Sequence, residues 1–140
     1  MPNWCYNRVE ISGESLDEFK KLVKSKKSAF DFNKIVPMPK ELLDNNKSDL
    51  TALKSKKLKE KYGDDNWYDW ALSNWGVKWD VDVDENAVED EGDYISYTFD
   101  TAWGPPHEIF YAIRKKFPDL SISWFYDEPG MQFAGYLNNE

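Results

Sequence analysis

The chain has 140 residues, 41% of them hydrophobic and 23 of them aromatic, with 18 basic residues against 26 acidic and a formal net charge of −8. That length suits one domain, residues 1–140, able to bury roughly 68% of its unfolded surface, so a core can hold it without metal or disulfide support. A single cysteine, Cys5, excludes an intramolecular disulfide or a cysteine-based metal cluster; no stretch nears 18 apolar residues and no basic segment leads into an apolar run, so the reading is a cytoplasmic protein without a membrane span.

Residues 4–11 alternate as a strand, with Val9 and Ile11 facing one way and Trp4, Tyr6, Arg8 and Glu10 the other. Gly13 breaks it. Ser15 and Glu18 have the spacing of a capping box, and Leu16, Phe19, Leu22 and Val23 form one helical stripe. Phe30, Phe32 and Ile35 suggest a short strand that Pro37 and Pro39 end. Residues 40–46 read as one or two helical turns, and 45–61 as a Lys-rich connection or exposed helix. Asp65 is placed to cap a helix running to about Trp75, with Gly76 at its C′ position.

From Lys78 alternation returns: Trp79, Val81 and Val83 are expected inward, with Lys78, Asp80, Asp82 and Asp84 opposite. Residues 84–93 form an acidic turn. The returning strand, 94–100, turns Ile95, Tyr97 and Phe99 inward. Pro105 and Pro106 suit a helix start, where a missing N–H costs nothing, and the helix 108–117 buries Ile109, Phe110 and Ile113. Pro118 stops it. Leu120, Ile122 and Trp124 share one face of the next strand, and Glu128-Pro129-Gly130 turns the chain into a last strand, 131–137.

With 30–76 set aside, the order is β-α-β-β-α-β plus a trailing C-terminal strand. That is the ferredoxin-like split βαβ sandwich of the α+β class, with a helical insertion, 30–76, after the first helix.

Several segments carry a family likeness: Pro2-Asn3-Trp4-Cys5 with Asn7, Phe32-Asn33-Lys34-Ile35-Val36-Pro37-Met38-Pro39, and Asn74-Trp75-Gly76 with Lys78-Trp79. To these add Phe99-Asp100-Thr101-Ala102-Trp103 with Pro105-Pro106, and Glu128-Pro129-Gly130-Met131 with Phe133-Ala134-Gly135. In these the chain resembles the YubB-type ferredoxin-like proteins of conjugative plasmids and phages. The resemblance implies an accessory protein of a mobile genetic element and brings no catalytic residues. Residues 45–66 lie outside it.

Charge is unevenly spread. Residues 20–61 hold thirteen lysines against five acids, whereas the remainder has five basic and 21 acidic residues. The basic stretch offers a nucleic-acid partner; the acidic one offers a basic protein partner or a mimic of nucleic-acid phosphates. On the sheet face away from the helices, Trp4, Tyr6 and Arg8 would lie beside Tyr94, Ser96 and Thr98. That arrangement suits base stacking, but Asp80, Asp82, Asp84 and Asp100 would share the face and repel phosphates. The insertion is expected to cover these aromatics. Trp79 is expected in the core, whereas Trp75 and Trp103 could line a groove against Trp4.

Routes to catalysis or metal binding are thin. Asp80, Asp82, Asp84 and Glu91 fit four positions of a calcium loop, but Glu85 stands where the turn needs glycine. His107 is the one histidine. Cys5 points with Val9 and Ile11 toward the core. Pro2 would offer a secondary amine as general base if Met1 were removed, although proline also simply begins strands.

The sequence thus supports a non-enzymatic protein with no cofactor, no metal and no assigned catalytic residue. It would act by contact with a host or mobile-element protein, obstructing a DNA-binding or defence protein through its acidic surface. The binding candidates are Trp4, Tyr6, Arg8, Trp75, Lys78, Asp80, Asp82, Asp84, Asp100 and Trp103. Nucleic-acid binding through residues 20–61 is the rival, an N-terminal-proline enzyme the third reading, and oligomeric state is open.

Overall fold

A computed structural model of the chain describes residues 2–43 and 51–137. Its sheet is built around β1 (Trp4–Ser12), which pairs antiparallel with β3 (Tyr94–Ala102) on one side and β4 (Ser121–Glu128) on the other. A three-residue β2 (Val88–Asp90) flanks β3 and β5 (Phe133–Leu137) flanks β4, giving the order β2-β3-β1-β4-β5. With α1 (Leu16–Val23) and α6 (His107–Lys116) as its two principal helices, this is a ferredoxin-like α+β fold with the trailing strand added at one edge.

The alternation in β1 sorts its side chains as expected. Cys5, Asn7, Val9 and Ile11 are buried, while Trp4, Tyr6 and Glu10 are exposed. In β3, Ile95, Tyr97 and Phe99 turn inward, and α6 buries Ile109, Phe110 and Ile113. The helix α1 buries Leu16, Phe19 and Val23, but Ser15 closes no capping box. Its hydroxyl instead donates to Asp119 Oδ1 (2.8 Å), and its N–H donates to Asp119 Oδ2 (2.9 Å), so the loop before β4 holds the helix start.

The insertion differs most from its sequence pattern. Residues 32–35 form a helical turn, α2 (Phe32–Ile35), rather than a strand, because Asp31 caps it by accepting from Asn33 N–H (2.9 Å). Phe32 and Ile35, three apart, face the core from one side of that turn. After it come α3 (Lys40–Leu43), α4 (Ala52–Tyr62) and α5 (Trp67–Asn74). The helix α4 is the exposed kind, burying only Leu58, and ends on Gly63 at φ +88°. Asn66, not Asp65, caps α5 by accepting from Asp69 N–H (2.9 Å), and Gly76 follows at φ +86°. Residues 44–46 of the expected helical turn and 45–50 of the Lys-rich stretch lie outside the described residues.

These helices do not cover the open sheet face. They join α1 and α6 on the other side: α2 packs on α1 and α6, and α5 packs on α6 and α3. Phe30 is the keystone, its ring 4.9 Å from Tyr97, 5.3 Å from Phe99 and 6.0 Å from Trp124 between centroids. A hydrophobic cluster therefore runs from the sheet through Phe30, Phe32 and Trp75 to Trp70.

Residues 78–84 are not the second strand. They run beside residues 28–33, where Ala29 N–H donates to the Val83 carbonyl (2.9 Å) and Val83 N–H donates to Ser28 Oγ (2.8 Å). Val81 and Val83 still face the core, so the alternation is real, but the hydrogen-bond partners lie in residues 28–33 and not in β3. The ladder with β3 falls to Val88–Asp90, inside the expected acidic turn.

Candidate functional site

Because 78–84 leaves β3 for the insertion, a groove opens between them. About 440 Å³ in volume, it is walled by Asp82 and Asp84 on one side and Thr98 and Asp100 on the other, with Val81, Val83, Ala87 and Phe99 at its base and Trp4 at its end. A second depression of about 270 Å³, lined by Tyr6, Arg8, Glu10, Glu89 and Ser96, shares Ala87 and Thr98 with the first. The two form one path across the open sheet face.

Aromatic rings continue that path. Trp4 lies 6.1 Å from Trp79, and the Lys78 ammonium sits 4.2 Å above the Trp79 ring. Trp79 is 41% exposed, which corrects the expectation that it enters the core. Its place in a segment without a sheet ladder sends it to the rim beside Trp4. Across β1, Tyr6 meets Phe125 edge-on at 6.5 Å, Arg8 lies over Phe125 at 5.2 Å, and Tyr136 packs on Phe125 at 5.4 Å.

Two candidates leave the site. Trp75 is buried, donating its indole N–H to the Val36 carbonyl (2.8 Å) and packing edge-on against Trp70 and Phe32. Asp80 is an internal clamp: its carboxyl accepts from Phe32 N–H (2.9 Å), Val81 N–H (2.7 Å) and Asn33 Nδ2 (3.0 Å), tying 78–84 to α2. Burial, and then the hydrogen-bonded Asp31 carboxyl, push Asp80 up to about 7. Asp31 is itself buried, but hydrogen bonds from Asp80 and Ser25 hold it below the usual carboxylate range. The pair thus keeps one proton well above the acid range.

Trp103 stays at the surface, 49% exposed and at φ +72°, a conformation that a bulky residue rarely adopts. Its N–H donates to the Asn3 carbonyl (2.8 Å), which closes the sheet end beside β1. The groove partner of Trp4 is Trp79, not Trp75.

The carboxylates outnumber the cations here. Asp82, Asp84, Asp100, Glu89, Glu10 and Asp127 border the path, against Arg8 and Lys78. Arg8 is already engaged by Glu10 (3.3 Å) and Lys78 by its own neighbour's ring. Phe125, Asp127 and Tyr136 escaped the sequence reading. The signal was present, since Leu120, Ile122 and Trp124 on the core face leave 125 and 127 on the other.

The Lys-rich stretch is partly folded onto acids. Lys20 bonds Asp90 (2.8 Å), Lys24 meets Glu85 (3.3 Å), Lys59 Asp65 (3.9 Å) and Lys61 Glu41 (3.0 Å). Among the described residues no three His, Cys, Asp or Glu side chains converge as metal ligands. Cys5 is buried, which pushes its thiol up to about 11, and no described helix is long and apolar enough to cross a membrane.

No curated protein and no solved structure matches the chain. Residues 75–139, which carry β2, β3, α6, β4 and β5, match the family model described as the ferredoxin-like domain in Api92-like protein.

Proposed function

We propose that this is a non-enzymatic binding protein whose open sheet face and acidic groove receive a basic segment of a protein partner. The observation that carries this reading is the uncovered Trp4–Trp79 pair beside Asp82, Asp84 and Asp100. Lysine and arginine side chains combine an apolar stem with a cationic head, so they match a groove with an apolar base, an aromatic end and carboxylate walls. Phosphates meet their own sign of charge on this face and are repelled. The YubB-type resemblance supplies the setting: a mobile-element protein that occupies the nucleic-acid-binding surface of a host protein by offering carboxylates to its basic residues.

Calorimetric titration with a Lys/Arg-rich peptide, and separately with single-stranded oligonucleotide, tests the reading. Peptide binding at low salt that weakens as salt rises, with no oligonucleotide binding, supports it. Oligonucleotide binding without peptide binding overturns it and transfers the function to the lysines of residues 20–61.

A further inference from the structure

The two edges of the sheet are built differently, and only one is defended against pairing. At the β2 edge the strand is three residues long and reads Val-Glu-Asp, with Glu85, Glu91 and Asp93 around it. Short length and charge are the usual ways of blocking an edge. At the other edge, β5 and its approach read Met-Gln-Phe-Ala-Gly-Tyr-Leu over residues 131–137, seven residues without a charge or a proline. One side of β5 is paired with β4; among the described residues no strand pairs its other side. Met131, Phe133 and Tyr136 are 61%, 37% and 57% exposed, so apolar surface accompanies the free backbone groups.

We propose that β5 pairs antiparallel with β5 of a second copy, joining two five-stranded sheets across a twofold axis. The charge pattern selects this occupant. The chain carries a net charge of −8, and β5 offers an uncharged line along which two such copies can approach. The β2 edge would set carboxylates against carboxylates. Side-chain sizes also suit self-pairing. Centred on Gly135, the pairing sets Tyr136 of one copy opposite Ala134 of the other on the open face, and Phe133 opposite Leu137 on the helix face. Each large ring meets a smaller partner, the kind of cross-strand pair that stabilises a sheet. Gly135 leaves room at the axis for the Tyr126 phenol, whose oxygen lies 3.1 Å from where a Cβ at 135 would stand. Such a contact is isologous and closes at two copies. It places the two open faces side by side but does not depend on what they bind.

Sedimentation velocity of the full chain from about 10 µM to about 1 mM tests this, with Ala134→Lys and Tyr136→Lys as variants. A concentration-dependent dimer is expected, and each lysine, entering the interface twice, should weaken it about tenfold. Amide hydrogen exchange at 133–137 should slow as concentration rises, a readout that needs no variant. A monomer throughout overturns the proposal. So does a dimer that both variants leave intact and whose β5 amides exchange at a rate independent of concentration.

Discussion

Phe30 is the side chain that binds the insertion to the sheet, and replacing it with alanine should be among the most damaging single changes in the molecule. Its ring is fully buried and meets Phe19 and Phe32, each at 6.1 Å, as well as Tyr97, Phe99 and Trp124. These neighbours come from α1, α2, β3 and β4, so no single element can shift to fill the space. A Phe→Ala change at such a site costs about 4 kcal/mol, and a chain of this length loses about 3 °C of Tm per kcal/mol, giving a fall of about 12 °C. Phe30→Leu should cost less than half as much. Leu53→Ala, at a position 64% exposed on α4, should change stability by no more than about 0.5 kcal/mol. Urea unfolding followed by near-UV circular dichroism reads all three. A loss below about 1 kcal/mol for Phe30→Ala would refute the placement of residues 28–35 against the sheet.

Asn7→Ala should cost about 2–4 kcal/mol in the same assay, because Asn7 Oδ1 accepts from Trp124 Nε1 (2.9 Å) while its Nδ2 donates to Thr101 Oγ1 (2.9 Å), all within the core. Retained stability in that variant would mean that the indole finds another acceptor. Gly76→Ala should destabilise by about 2–4 kcal/mol, since φ is +86° and the added Cβ would stand 2.9 Å from His107 N; Gly92→Ala, at φ +87° with open space around it, should lose only about 1 kcal/mol. Equal losses at the two glycines would show that residue 76 does not abut the start of α6. Asp80 ionises near pH 4 in the unfolded chain but only at about 7 in the folded one, so the folded state holds the extra proton between those values. Its contribution is therefore full below about pH 4 and is lost as pH rises through 7. Asp80→Asn should remove that component, and urea midpoints at pH 5 and pH 8 that fall equally in both proteins would contradict it.

Much of this architecture was legible because burial follows period. The alternation in β1 and β3, the apolar stripe of α1 and the paired prolines before α6 each specify an element locally, and the element order then specifies the sheet. The legibility failed where a backbone partner had to be known. Residues 78–84 alternate like a strand because Val81 and Val83 are buried, but their hydrogen bonds go to 28–33, which no local pattern reveals. Phe30, Phe32 and Ile35 suggest a strand for the same reason, until Asp31 and Asp80 cap a helical turn there. The site inherited both errors. Asp80 looked like one of an exposed ladder and is a clamp, and Trp79 looked like core and is the ring neighbour of Trp4 at the rim. Asp82, Asp84 and Asp100 do line one groove, which opens because residues 78–84 do not pair with β3.

The proposed docking of a basic segment in the groove beside Trp4 and Trp79 is open to direct test. The most direct measurement is ¹⁵N NMR of the wild-type protein and of the Asp82→Asn/Asp84→Asn/Asp100→Asn variant during titration with a Lys/Arg-rich peptide. Wild-type shifts should concentrate at the Trp4 and Trp79 indoles and at the amides of 81–84 and 98–100, and the variant should bind at least tenfold more weakly while keeping its fold. Shifts confined to α4, or unchanged affinity in a folded variant, would contradict docking in this groove.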